Sequence, residues 1–154
     1  MKYLLLIFLT LLLSLCHADT NGENLKEENL KEERGLESFH ALKWQTQLDK
    51  AFQIAYDEQK NVIVMVEDTH CKWCIKMKRG ALSDTRVQAR LKQYVLVKVS
   101  RSNKAEANQL PLFDGTIPNF YFMTPKREIV ENIVGYFRAD DFLGYIKEIE
   151  EEGF

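Results

Sequence analysis

The sequence predicts an α/β fold in which helices flank a central four-stranded sheet. Short apolar runs over residues 62–66 and 94–99, rich in valine, read as strands, with helical patterning between them. Two further runs, 119–124 and 128–134, are joined only by Pro125-Lys126-Arg127, a connection short enough to demand an antiparallel hairpin. Apolar residues recur at three- and four-residue spacing before the first strand and after the last, as in amphipathic helices.

The chain opens on Lys2, an apolar run from Leu4 to Leu13, and Cys16-His17-Ala18 with small residues where a signal peptidase reads. Residues 1–18 are therefore expected to be a cleaved signal peptide. The apolar run stops well short of the roughly 20 residues that span a bilayer. Leu13-Ser14-Leu15-Cys16 also resembles a bacterial lipobox, but Leu15 is larger than the usual residue before the lipidated cysteine. Lipid anchoring at Cys16 is the lesser alternative.

Residues 19–41 read as a polar, charged segment, a solvated linker or frayed helix, with a docking arm as the lesser alternative. They contain a tandem repeat, Glu23-Asn24-Leu25-Lys26-Glu27 and Glu28-Asn29-Leu30-Lys31-Glu32. A five-residue period advances about 500° around a helix, so Leu25 and Leu30 cannot share one apolar stripe. With few apolar residues the segment buries too little surface to offset its ordering entropy.

The domain proper is expected over residues 42–154. Trp44, Leu48, Phe52 and Ala55 place a helix over 42–59, and Asn61 ends it. The run 62–66 is apolar throughout, as in a strand buried on both faces. A helix follows from Cys71 to about Gly80, where the glycine permits a break, and Ser83-Asp84 caps a further segment bearing Val87 and Leu91. After the strand at 94–99 the chain is polar to Gly115, with a short helix before Pro111. The hairpin comes next, then a final helix opened by Asp140-Asp141 and carrying Phe142, Ile146 and Ile149.

The chemistry concentrates in Thr69-His70-Cys71-Lys72-Trp73-Cys74, at the junction of the strand 62–66 and a basic helix. A Cys-x-x-Cys pair there can store and exchange a disulfide. The helix N-terminus favours thiolate at Cys71, and thiolate is the attacking species. Cys74 lies one turn on, placed to expel a mixed disulfide. Once the leader is removed, these are the only cysteines, so no disulfide framework staples the domain. Zinc needs about four ligands, and Cys71, Cys74 and His70 supply at most three. Haem attachment needs histidine where Ile75 stands. Lys72, and His70 when protonated, favour thiolate at Cys71, the alternatives being a solvated helix-end lysine and an inert exposed histidine, and Trp73 is placed either to meet partners or to pack on the domain. The formal net charge of −2 and the lack of a basic, aromatic-interleaved patch give no case for nucleic acid.

Together, the Cys-x-x-Cys after the first strand, Ile75-Lys76-Met77 on the motif helix, Thr116-Ile117-Pro118 before the third strand and Gly135-Tyr136 before the last helix resemble the thioredoxin fold across 42–152. The chain is similar to the exported thioredoxin-like thiol–disulfide oxidoreductases. The resemblance implies a mixed sheet, Cys71 and Cys74 as the redox pair, a cis Pro118 facing them, and substrate contacts at Ile117, Trp73, His70 and Lys72. It implies no cofactor, a monomer, cysteine-containing exported proteins as substrates and a membrane thiol relay as electron donor. The short stretch between Cys74 and Tyr94 leaves no room for the helical insertion of the strongly oxidising periplasmic family, no dimerisation domain precedes the fold, and the C-terminus carries no endoplasmic-reticulum retention signal. A periplasmic reductant is the expectation that results. One departure stands out: thioredoxins carry a buried aspartate six residues before the first cysteine, where this chain has Met65. Glu67 lies on the same face and is either a replacement proton acceptor or a solvent-facing strand end. The alternative function is a thioredoxin-like module that binds a client or copper without turnover, although copper carriers on this fold usually show wider cysteine spacing and a distant histidine.

Overall fold

The computed structural model describes residues 20–154. The expected leader, with Cys16, lies outside them. No helix among the described residues is long and apolar enough to cross a membrane. The chain divides into two compact units, one ending at Lys31 and the other running from Glu32 to Phe154. In the first, residues 24–31 are helical and exposed.

The second unit is built on a five-stranded sheet. In chain order the strands are β1 (Trp44–Gln45), β2 (Val62–Glu67), β3 (Val95–Ser100), β4 (Asn119–Met123) and β5 (Ile129–Val134), and across the sheet the order is β1-β3-β2-β4-β5. β1, β3 and β2 are parallel, while β4 is antiparallel to both β2 and β5, so the sheet is mixed as expected. The helices are α1 (Thr20–His40), α2 (Leu48–Glu58), α3 (Lys72–Arg79), α4 (Thr85–Leu91), α5 (Lys104–Ala107) and α6 (Ala139–Glu151).

β2 is central, and each of its residues is buried. Its alternation divides the core in two. Ile63 and Met65 face a cluster made with Phe39 of α1, Met77 of α3, Val87 and Leu91 of α4 and Phe142 of α6. Val62, Val64 and Val66 face a second cluster made with Leu48, Phe52 and Ala55 of α2 and Ala107 of α5. Helices therefore cover both faces, which is why the strand can be apolar from Val62 through Val66. α3 ends at Gly80, a single 3₁₀ turn follows over Ala81–Ser83, and the Asp84 side chain caps α4 by accepting from the amides of Arg86 and Val87.

Two sequence expectations need correction. Trp44 does not begin a helix. It lies on the added edge strand β1, paired with Leu96, and the helix starts at Leu48. The three- and four-residue spacing conceals a change of face, because Trp44 packs against the first cluster while Leu48 and Phe52 belong to the second. The linker expected through residue 41 also differs from the structure, since α1 continues to His40 and Phe39 is wholly buried. Gly35, Ser38, Phe39 and Leu42 form a short inward stripe that the charged residues upstream mask. Gly35 lets this stripe approach α3 closely. A Cβ there would lie 2.5 Å from the carbonyl oxygen of Arg79.

Candidate active site

The site lies where β2 ends and α3 begins. Past Glu67, Asp68 folds the connection on itself: its carboxylate accepts from the His70 amide at 3.0 Å, and its carbonyl accepts from the Cys71 amide at 3.1 Å. The His70 amide and the charge of Arg101, 3.9 Å away, hold the Asp68 carboxyl below its ordinary range. This turn delivers Cys71 as the N-cap of α3, with extended backbone at φ −81° and ψ 105°. Its sulphur accepts from the Cys74 amide at 3.1 Å. The two cysteines form a disulfide with a Cα–Cα distance of 5.2 Å.

The two sulphurs occupy different environments. Cys74 is wholly buried in the first core cluster, whereas Cys71 is half-buried at its margin. In the dithiol form the amide and partial positive charge at the helix terminus favour thiolate at Cys71. Of the two, Cys71 is the more accessible to solvent.

Trp73 stands between them with 51% of its surface exposed. Its ring centroid lies 5.7 Å from that of Tyr136. The Lys76 ammonium lies 5.4 Å from the Trp73 centroid and 4.8 Å from that of Tyr136, within cation–π range of both. Tyr136 follows Gly135, which has φ +111° and whose amide donates to the Pro118 carbonyl at 2.8 Å. The Pro118 turn and the Trp73 platform are thereby linked through two adjacent residues. The Ile117-Pro118 bond is cis, Pro118 is buried, and Ile117 packs against both core clusters.

Glu67 is not a solvent-facing strand end. It is 6% exposed and pairs with Lys78 Nζ on α3 at 2.9 Å. Nor is it an uncompensated buried carboxylate, because Lys78 supplies the countercharge and itself lies over the Phe39 ring. Met65, where thioredoxins carry aspartate, is wholly buried and stands in register with Lys98 of β3. The His70 ring is 96% exposed, with Thr69 and Asp68 as its neighbours. Lys72 is exposed on the first turn of α3. Among the described residues, no group of three or more His, Cys, Asp or Glu side chains is placed to hold a metal ion.

Asp68 and Lys78 of this arrangement were not singled out in the sequence, and Lys76 and Tyr136 only as parts of motifs that resemble the fold. The Asp68 turn had a local signal, since aspartate readily caps its own following amides. Lys78 reads in sequence only as basic helix surface, and nothing in the motif that contains Lys76 points to its place beside two aromatic rings. Tyr136 is separated from Trp73 by most of the domain, and only the fold joins them.

A family model described as Thioredox_DsbH, protein of unknown function DUF255, matches residues 36–142. No curated protein matches the chain by sequence. Among solved structures the chain resembles a DsbH oxidoreductase at 14% identity, over 71% of this chain and 85% of that one, with a TM-score of 0.61. A thioredoxin from Thermus thermophilus is 25% identical over 73% of this chain and 89% of its own, at a TM-score of 0.63. The oxidised C-terminal domain of Neisseria meningitidis DsbD is 17% identical over 69% and 98%, at 0.58. The fold is that of thioredoxin.

Proposed function

The chain belongs to the Thioredox_DsbH family, and from that premise we propose that it is a thiol–disulfide oxidoreductase that reduces exported, cysteine-containing proteins. The observation that carries the reading is the asymmetry of the pair: a half-buried Cys71 sulphur capping a helix, and a wholly buried Cys74 behind it. Other features support it. The sheet presents the pair at the end of its central strand, and the stretch from Cys74 to β3 holds only the rest of α3, a 3₁₀ turn and the seven-residue α4.

In the reductive direction the Cys71 thiolate attacks one sulphur of a client disulfide. A Cys71–client bond forms, the client bond breaks, and the departing client thiolate keeps the electron pair. Cys74 then loses its proton and attacks the Cys71 sulphur, closing the Cys71–Cys74 disulfide and releasing the second client thiolate. The client gains two electrons, and both of its thiolates take protons from solvent. Glu67, on the face of β2 that meets the first core cluster, is the proposed acceptor of the Cys74 proton. Ile117 and Pro118 would line the client strand, Trp73 would cover the exchanging sulphurs, and Lys72 and His70 would flank them. A dithiol donor, expected to be a membrane thiol relay, must return two electrons for each turnover. On this reading residues 1–18 direct the protein to the periplasm, and it works there as a monomer.

Insulin reduction tests the activity. The reduced wild-type protein should precipitate the insulin B chain, Cys71→Ser should be inert, and Cys74→Ser should accumulate a mixed disulfide. Activity that survives in Cys71→Ser, or client binding without turnover by the wild type, would overturn the proposal. Equilibration of the Cys71/Cys74 couple with glutathione tests the direction: a reductant should lie near or below about −230 mV, and a value near the roughly −120 mV of a strong oxidant would reverse it.

A further inference from the structure

The charge around the disulfide points to the kind of client it receives, an inference that rests on the function proposed above. α3 carries Lys72, Lys76, Lys78 and Arg79 and no carboxylate. Two of these cations are already engaged, Lys78 with Glu67 and Arg79 with Glu32. Lys72 and Lys76 are exposed, and among the described residues neither has a carboxylate within ion-pair distance. Lys76 is also held in place, its ammonium lying against the Trp73 and Tyr136 rings. Its charge is therefore presented at a defined position beside Trp73, whose surface is half open to solvent. The helix N-terminus at Cys71 adds a partial positive charge of its own. Two carboxylates lie in the neighbouring loops, and both are turned to their own backbone: Asp68 accepts from the His70 amide and faces Arg101, and Asp114 accepts from the Thr116 amide.

We propose that the protein selects clients in which the exchanging cysteine is flanked by acidic residues. A client carboxylate meets Lys72 or Lys76 while a neighbouring client side chain lies on Trp73. Complementarity of this kind acts mainly on association and register. The preference therefore belongs in the second-order rate constant and weakens as salt screens it.

The test uses the reduced full chain and three peptides of equal length. Each holds one cysteine in a mixed disulfide with thionitrobenzoate, flanked by aspartate, serine or lysine. The rates are divided by those measured with dithiothreitol, which removes the intrinsic reactivity of each peptide. The aspartate peptide should react roughly tenfold faster than the lysine peptide at low ionic strength, as expected for two exposed cations, and the ratio should fall several-fold near 0.3 M salt (on the order of a 5 Å screening length). Lys72→Glu with Lys76→Glu should invert the order of the peptides. Both positions are exposed, so charge reversal leaves the core untouched. A wild-type ratio near one at low salt, or a preference that survives charge reversal, would overturn the inference while leaving the proposed activity intact. Failure to react with any of the peptides would instead overturn the activity and the inference with it.

Discussion

The Lys78 ammonium lies 2.9 Å from the Glu67 carboxylate, and their side chains are only 12% and 8% exposed. The pair ties the last residue of β2 to the helix that carries Cys74. A carboxylate this far from water needs a countercharge, and the countercharge comes from the helix that carries Cys74.

Removing either member should therefore have unequal effects. Lys78→Met leaves a buried carboxylate without its partner and should cost about 3 kcal/mol in denaturant unfolding. Glu67→Gln leaves a lysine whose flexible stem can carry its charge to water, and should cost about 1 kcal/mol. The same Gln variant should slow resolution of a Cys71 mixed disulfide roughly 10²-fold in stopped-flow, the usual loss for a general base. An unchanged rate would leave Glu67 a purely structural residue.

The cysteines should be distinguishable by alkylation. With the pair reduced, iodoacetamide at slightly acid pH should label Cys71 before Cys74, because the first residue is partly exposed at the helix N-terminus and the second is wholly buried. Peptide mapping by mass spectrometry reads the order. Equal labelling would remove the basis for assigning separate roles.

Gly35→Ala should reverse the usual effect of this exchange. Inside a helix the alanine normally stabilises by about 1 kcal/mol. Here the new methyl would meet the backbone carbonyl of Arg79 at 2.5 Å, and a backbone atom cannot rotate aside. A net loss of about 1–3 kcal/mol is expected. A raised melting temperature would show that α1 does not approach α3 this closely in solution.

Acid should weaken the start of α4. The Arg86 guanidinium, together with the amides of Arg86 and Val87, holds the Asp84 carboxyl below its ordinary value of 3.8. A carboxyl lowered on folding stabilises the fold above its unfolded value, and that contribution disappears as pH falls through the folded value. Stability should therefore be level above about pH 5 and decline below pH 4. Asp84→Asn keeps a good cap but cannot titrate, so its unfolding curves should decline less steeply over that acid range. At neutral pH it should lose no more than about 1 kcal/mol.

The parts of the molecule legible in the sequence are those with local signals. β2 and β3 are apolar at nearly every position, the β4–β5 connection is too short for anything but a hairpin, and Asp84 is a residue suited to a cap. The cysteine pair and the Ile117-Pro118 turn were found because motif and position coincide. β1 was not legible, since two residues cannot display a period. Phe39 was hidden by a long charged run whose composition outweighed one short stripe. The Glu67–Lys78 pair and the contact of Trp73 with Tyr136 depend on which faces the fold brings together, and no spacing along the chain encodes either.

The seat of Phe39 also determines how this domain can be excised. Patterning alone would start it at residue 42, within a step of β1. Such a cut would take away a ring that packs on Trp44 and underlies both Lys78 and Lys98. The gap would open directly beneath the ion pair next to the redox helix, and a fragment of that length should come out poorly folded and with altered thiol chemistry. The shortest self-sufficient piece is expected to begin upstream of Gly35, so the last two turns of a helix that reads as a tether are part of the domain's floor.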